Sequence, residues 1–305
     1  IRESVKHNKS TFISFRNSTR ITAAAGLMLV AETDRLRKAF PEHRIRCSIP
    51  EQRTRSINNP EPNLVEGALK QIGFFKIIGQ ANNCIITAES VKKWKHNSGD
   101  TADGSLARAL LDTLNGIISD TASKKMYRGA IEAIANCVEH AYPSYRQDGL
   151  DIEDKRWWML VGVDETNLCV IVCDLGVGIP MTLPVKHSPG ILNSIKLTFG
   201  ILNDNDSELI RASTHIRQTR TKLKNRGKGG KDFRSITQNF PTATLSIRSN
   251  RGVFFMTGPN RPPLKPASGG RYVSGTDKRE MTRDHKKSIL GTMMEWTVPL
   301  KDLKK

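Results

Sequence analysis

Long apolar runs are absent from this sequence. The longest candidate, from Ile21 to Ala31, is far shorter than the roughly 20 apolar residues that a membrane-spanning helix requires. The sequence also shows no secretory signal pattern. We therefore expect a cytoplasmic protein with no membrane partner.

Acidic residues are scarce relative to basic ones. Lys and Arg total 48 against 30 Asp and Glu, a formal net charge of +18. Such an excess favours contact with nucleic acid, an acidic protein or another anionic surface. A solvated charged surface accounts for the same excess, so composition alone leaves both interpretations open.

Cysteines are few and do not form a ligand pattern. The five are Cys47, Cys84, Cys137, Cys169 and Cys173. The last two lie four residues apart on one predicted strand, which is a poor spacing for a disulfide or a zinc site. We expect all five to be reduced thiols, as in a cytosolic protein, and none to bind a metal.

The most informative stretch is YRGAIEAIANCVEHAY, which begins at Tyr127 and is predicted as a helix. Glu132, Asn136 and His140 recur at a spacing of four and therefore project from one face. The opposite face is apolar and is typical of a helix that packs on a sheet. Because Asn is a poor helix former, its place here indicates a polar partner, and a nucleotide with its metal would serve.

A strand follows this helix, and a glycine-rich turn follows the strand. The run CVIVC, from Cys169, is typical of a strand inside a covered sheet and delivers Asp174 at its end. Gly176 and Gly178 permit close backbone approach to a flat ligand, and a carboxylate accepts a hydrogen bond from an exocyclic amine. The motif D-x-G-x-G-I-P suits adenine, although a tight turn with an Asx cap explains it equally well in isolation.

Two further motifs lie downstream, NRGKGGKDF from Asn225 to Phe233 and Gly291-Thr292 before a terminal strand. Backbone N–H groups and lysines of the first suit phosphates at the start of a helix. The sequence therefore contains four motifs in this order: E-x-x-x-N, D-x-G-x-G-I-P, R-G-K-G-G and G-T. Together they resemble the motifs of the GHKL superfamily. This superfamily includes the ATP-binding domains of gyrase, histidine kinases, and related chaperone and mismatch-repair ATPases. The resemblance covers roughly residues 105 to 300.

The resemblance implies a site for ATP and Mg²⁺. It assigns to Glu132 the role of orienting and deprotonating the attacking water, and to Asn136 the role of Mg²⁺ ligand. His140 would either contact a phosphate or interact favourably with the helix dipole at the C-terminal end of the helix. The other expected nucleotide-binding residues are Asp174, Gly176, Gly178, Ile179, Gly227, Lys228, Gly229, Gly230 and Thr292. The lid sequence departs from the G-x-G-L-G-L pattern that is usual in the family, so the phosphate-binding residues are less well defined than the adenine pocket.

The N-terminal part alternates strands and helices and resembles a STAS domain, the fold of anti-sigma-factor antagonists. The resemblance rests on the T-A-A-A-G-L turn that opens a helix and on the later ALKQIGFF. Bacterial antagonists carry a phosphorylatable Ser in this turn, where the present chain has only the hydroxyl of Thr22. Phosphorelay through this segment is therefore not expected, and a small α/β docking or dimerisation domain is the alternative.

These observations predict an α/β protein of two domains. Residues 1–80 would form the STAS-like α/β domain, and residues 105–305 a GHKL (Bergerat) domain, an α/β two-layer sandwich with a mixed sheet. Residues 81–104 would form a linker, with a short strand near Cys84 to Thr87. The ATP lid would occupy residues 181–234, approximately.

The predicted lid is unusually basic. Between Arg211 and Arg234 the sequence has nine Lys or Arg residues and one acid, Asp232. The nucleotide needs one or two cations for its phosphates. The remaining cations are either solvated or available to a polyanion such as nucleic acid, which would sense whether ATP is bound.

Three classes of function compete. The first is an ATPase that drives a regulatory switch in bacteria, which the spacing of Glu132 favours. The second is a Ser/Thr protein kinase like the anti-sigma-factor kinases, which EAIANCVEHAY also resembles. The third is a nucleotide-gated binding module with negligible turnover. A protein partner of the N-terminal segment and a homo-oligomer are further expectations.

Overall fold

The computed structural model of the chain describes residues 1–50, 64–216, 229–263, 265–266 and 268–304. The helices are α1 (Arg2–Lys6), α2 (Ala23–Ala39), α3 (Leu64–Gln71), α4 (Phe74–Ile78), α5 (Glu89–Lys92), α6 (Gly104–Asp112), α7 (Asp120–His140), α8 (Ile179–Lys186), α9 (Pro189–Thr198), α10 (Asp206–Ser213), α11 (Gly229–Asn239) and α12 (Leu300–Leu303). The strands are β1 (Thr11–Ser14), β2 (Ile45–Ser48), β3 (Lys95–Gly99), β4 (Trp157–Val163), β5 (Asn167–Asp174), β6 (Thr244–Ser249), β7 (Gly252–Thr257), β8 (Arg271–Tyr272), β9 (Glu280–Asp284) and β10 (Thr292–Pro299). Across these ranges, no helix combines the length and the apolar character needed to cross a membrane.

The main sheet has eight strands in the order β3-β4-β5-β10-β6-β7-β9-β8, and every neighbouring pair is antiparallel. The mixed sheet predicted from the sequence is therefore wrong. Short turns join β4 to β5 and β6 to β7, which forces each pair to be antiparallel. In the first turn, Asp164 Oδ1 accepts hydrogen bonds from the backbone N–H groups of Thr166 and Asn167, at 2.8 and 2.7 Å. β10 then pairs between these two hairpins.

Helices cover both faces of the sheet at β4, β5 and β10. Trp157 and Trp158 are neighbours on β4, so they project to opposite faces, and both are fully buried. Trp157 belongs to the core beneath α6 and α7, and Trp158 to the core beneath α2 and the N-terminal helices. This part of the molecule therefore has three layers instead of the expected two.

The N-terminal segment contains the predicted strand-helix-strand unit. β1 and β2 pair in parallel, and α2 lies between them in sequence. Thr22 caps α2, because its side-chain oxygen accepts a hydrogen bond from the N–H of Ala25 at 3.2 Å. The structure confirms this helix within two residues of its predicted ends.

Buried polar contacts join α2 to the rest of the molecule. Trp158 Nε1 donates to Asp34 Oδ2 at 3.0 Å, and the side chains of Arg35 and Asp148 form an ion pair at 2.7 Å with both side chains nearly inaccessible to water. Breaking such a pair leaves an uncompensated buried charge. These contacts fix α2 against the sheet and the loop that follows α7.

The expected linker, residues 81–104, is part of the folded structure. It contains α5 and β3, and β3 is the edge strand that pairs with β4. The short strand expected from Cys84 to Thr87 does not form. The N-terminal helices share one core with the sheet, which differs from the predicted pair of domains joined by a linker.

The shared core leads to a prediction about unfolding. Leu27 of α2 is fully buried in it, and a Leu→Ala change in a core costs about 2–5 kcal/mol. We expect Leu27→Ala to shift a single calorimetric transition of the whole chain to lower temperature. Phe12→Ala is the control, since Phe12 is 67% exposed and should change stability little. Two separate transitions, of which Leu27→Ala shifts only one, would contradict a shared core.

Candidate functional site

A cleft lies at one end of the sheet, between α7, α8 and the ends of β5 and β10. Six residues singled out from the sequence line it: Asn136, His140, Asp174, Gly178, Ile179 and Thr292. It encloses about 810 Å³ of space not filled by protein atoms, counting the solvent at its mouth.

Strand register places a polar row at the edge of this cleft and an apolar row behind it. Asp174 is opposite Thr292, and Thr292 is opposite Ser249. Two residues further along the strands, Val172 is opposite Met294. A flat ring can therefore pack on the apolar row while its polar edge meets the carboxylate.

The carboxylate of Asp174 is buried and held by the backbone. Its Oδ1 accepts hydrogen bonds from the N–H groups of Gly176 and Thr292, at 2.9 and 3.2 Å. From the residues that the structure describes, its Oδ2 receives only the weak S–H donor of Cys137, at 3.6 Å. Burial raises the pKa of Asp174 to about 6, although the two N–H bonds favour the charged form. Oδ2 therefore remains a strong acceptor for a donor on a ligand.

The glycines that follow Asp174 bring the turn against the end of α7. A Cβ at Gly176 would lie 2.0 Å from the carbonyl oxygen of Ala141, and Val177 N–H donates to that same oxygen at 2.9 Å. Gly178, with φ +87°, precedes the first turn of α8. Gly176 therefore shapes the cleft from behind and does not line it.

Asn136 presents its amide oxygen in a defined way. Its Nδ2 donates to the backbone carbonyl of Glu132 at 2.9 Å, which fixes the orientation of the amide. Its Oδ1 makes no hydrogen bond with the residues that the structure describes. The helix backbone therefore provides the predicted polar partner for the amide nitrogen of Asn136. The amide oxygen is left for a ligand.

Glu132 lies one helical turn before Asn136 on α7. Its side chain is partly exposed and is not among the residues that line the cleft. His140, one turn after Asn136, does line it. The three residues predicted to share a helix face are therefore present on α7, with only the last two at the cleft.

Lys186 is a cleft residue that the sequence analysis did not identify. It lies on α8 two turns after Ile179, and its ammonium donates to the carbonyl oxygen of Glu139 at 3.3 Å. Burial lowers the pKa of Lys186 to about 8. The sequence did contain a pattern that could have identified Lys186, because Ile179, Thr182 and Lys186 share one face at helical spacing.

The predicted lid is only partly described. Gly227 and Lys228 lie outside the described residues, whereas Gly229 and Gly230 begin α11, and Phe233, one turn later, lines the cleft. The sequence predicts a loop over residues 180–207 with one helix near 191–198, whereas the structure has α8, α9 and the start of α10 there.

Of the lid's nine cations, the structure describes the side chains of Arg211 and Arg234. Arg211 forms an ion pair with Glu208 of the same helix at 3.1 Å and lies 3.8 Å from Glu280 of β9, and Arg234 also contacts Glu280. Glu280 therefore links both flanks of the lid to the sheet.

The raised pKa of Asp174 leads to a prediction about pH. Below about pH 6 the carboxyl gains a proton, so it accepts less well from an exocyclic amine. We expect the affinity for adenosine, measured by calorimetry, to be constant above pH 6 and to fall by at most about tenfold per pH unit below it. Inosine, which lacks the amine, is the matched ligand and should bind more weakly with no such dependence.

Asp174→Asn is the matched protein variant. With its amide oxygen held by the two N–H groups, the amide nitrogen would face the ligand as a donor. Adenosine should then bind weakly at every pH. An unchanged affinity in Asp174→Asn would show that Oδ2 does not contact the base.

No protein-family model matches this chain, and no curated protein matches it.

Proposed function

We propose that this chain is an ATPase of the GHKL type, which binds ATP with Mg²⁺ and acts as an ATP-dependent regulatory switch. The observation that carries the proposal is the meeting of separate motifs at one cleft. Asn136 and His140 come from the first motif, Asp174 from the second, and Thr292, 118 residues beyond Asp174, from the last. Chance does not readily place residues so far apart in sequence around one cavity.

In this proposal the polar row recognises adenine. Asp174 Oδ2 accepts a hydrogen bond from the exocyclic amine, and Val172 and Met294 contact the faces of the ring. The Thr292 hydroxyl lies 2.9 Å from the Ser249 hydroxyl, so the two orient each other at the ring edge. This arrangement favours adenine over a base that carries a carbonyl at the same position.

The residues present also fit a magnesium ion. Asn136 Oδ1 is a neutral oxygen ligand of the kind that Mg²⁺ accepts. No cluster of three or more His, Cys, Asp or Glu side chains suited to a metal exists within the described residues, so phosphate oxygens and waters would complete the coordination. Bound Mg²⁺ would neutralise phosphate charge, and Lys186 adds a protein cation at the same cleft.

Glu132 is the proposed general base. It lies one turn before Asn136 on α7, and in this proposal its carboxylate orients the attacking water. The finer architecture is part of the same proposal: a GHKL (Bergerat) unit preceded by a STAS-like segment with a protein partner. A cytoplasmic location and a homo-oligomer remain predictions.

Phosphotransfer to a protein is the second candidate, and a surface near the cleft favours it. Large apolar side chains are exposed on α8, on α9 and after it, with Val185 at 83%, Leu197 at 85% and Leu202 at 90%. Large exposed apolar side chains are the kind of surface that a protein partner would cover. In this case the protein would act as a Ser/Thr kinase of the anti-sigma-factor type. A nucleotide-gated binding module would use the same surface without turnover.

Release of inorganic phosphate from Mg-ATP tests the proposal. Glu132→Gln should reduce turnover by at least about 100-fold while it preserves ATP binding, because the general base is lost and the binding residues are kept. Asn136→Ala should weaken binding of Mg-ATP itself. Glu165→Gln is the control, since Glu165 is exposed in the turn between β4 and β5.

The outcomes separate the candidates. Normal turnover in Glu132→Gln would exclude Glu132 as the base. Label transferred from [γ-³²P]ATP to a protein, without free phosphate, would replace the ATPase by the kinase. Tight binding without either product would favour the nucleotide-gated module, and absence of binding would reject all three.

A further inference from the structure

A second concave surface lies on the face of the sheet opposite α7. Met293, Arg248, Val253 and Arg283 are in register on β10, β6, β7 and β9, so they form one row on that face. Met293 is buried under the N-terminal helices, whereas Arg248 is exposed and Val253 and Arg283 are half-buried. The helices therefore leave this end of the face open.

Basic side chains from three chain segments line this surface: β6 with its turn, β9, and the segment after β9. Arg248 and Arg283 come from strands and Arg251 from the turn between β6 and β7, and the segment after β9 adds the remaining three, His285, Lys286 and Lys287. We call these six residues and the cavity between them the basic cleft.

The one acid among the described residues that line the basic cleft is already engaged elsewhere. Asp284 accepts hydrogen bonds from Ser207 N–H at 3.0 Å, Ser207 Oγ at 2.6 Å and Asn205 Nδ2 at 2.8 Å. Its carboxylate therefore contacts the start of α10, and within the described residues it forms no ion pair with the cations of the basic cleft.

The five Lys and Arg side chains of the basic cleft form no ion pair or side-chain hydrogen bond within the described parts of the chain. Three buried arginines elsewhere are paired with acids: Arg35 with Asp148, Arg146 with Glu32, and Arg211 with Glu208. Clustered like charges repel one another and attract a polyanion. A concave cluster of cations that lack ion-pair partners among the described residues is therefore suited to an anion.

We propose that the basic cleft binds the phosphate backbone of a nucleic acid. Arginine guanidinium groups match phosphate oxygens in a bidentate geometry, and the cations are spread along three segments, which suits a polymer of phosphates. An acidic protein fits less well, because the described lining has only Val253 and Ile289 as apolar anchors. No Phe, Tyr or Trp is among those lining residues, so phosphate contacts outweigh base stacking and recognition does not depend on sequence.

This interface lies outside the proposed ATP site and does not depend on it. It also differs from the lid that the sequence analysis favoured for a polyanion. Its cations come from the sheet and from the segment after β9. The lid cations whose side chains the structure describes, Arg211 and Arg234, are instead paired with acids.

Fluorescence anisotropy with a labelled single-stranded oligothymidylate and a labelled random-sequence duplex tests the proposal. The two cleft variants are Arg248→Ala with Arg283→Ala, and Lys286→Ala with Lys287→Ala. Each should weaken binding at least about tenfold at low salt. Each should also reduce the slope of log affinity against log salt by about 1.4 on the single strand, or about 1.8 on the duplex, since a lost phosphate contact is worth about 0.7 or 0.9.

The matched control is Lys93→Ala with Lys95→Ala, which removes two exposed cations near the opposite edge of the sheet. It should leave both affinity and slope close to those of the unchanged protein, and melting temperatures should show that all variants fold. The proposal is overturned if cleft and control variants behave alike, or if neither probe binds. Displacement of the oligonucleotide by polyglutamate at equal charge would instead assign the basic cleft to an acidic protein.

Discussion

The buried carboxylate of Asp174 is the constraint around which the site is built. Its pKa near 6, against an ordinary value of 3.8, means that ionising it in the folded protein costs on the order of 3 kcal/mol. Because the folded protein holds this proton more tightly than the unfolded chain, this contribution to stability is lost as pH rises from about 4 to about 6. The N–H groups of Gly176 and Thr292 offset part of the cost, and they fix where β5 ends and where β10 begins.

Local pattern predicted the elements well where one face or one turn decides the conformation. The apolar stripe that predicts α7 depends on residues close in sequence, as do the hairpin turns predicted at 165–167 and 250–252. Strand direction depends instead on β10, which pairs between β5 and β6. The mixed sheet was predicted from the resemblance to the GHKL superfamily, and that prediction was wrong.

Other features depend on contacts that are distant in sequence. The continuous apolar run WWMLVGV already indicates a strand buried on both faces, but not that α2 covers one of them. The basic cleft combines cations from β6, the following turn, β9 and the segment beyond, and only strand register brings them together. Of the predicted site, Asn136, His140, Asp174 and Thr292 come together at one cleft, because the end of α7 and the ends of β5 and β10 meet there. Glu132, one turn earlier on α7, does not line it.

The shared core also determines how this chain can be divided. A fragment that begins at residue 105, the expected start of the ATP-binding domain, would lack α2 and the edge strand β3. It would expose a sheet face formed by five side chains that are nearly inaccessible in the intact chain: Trp158, Leu160, Ile171, Cys173 and Met293. A contiguous apolar surface of this kind promotes self-association. The N-terminal helices therefore act as a built-in cover that keeps the sheet from aggregating.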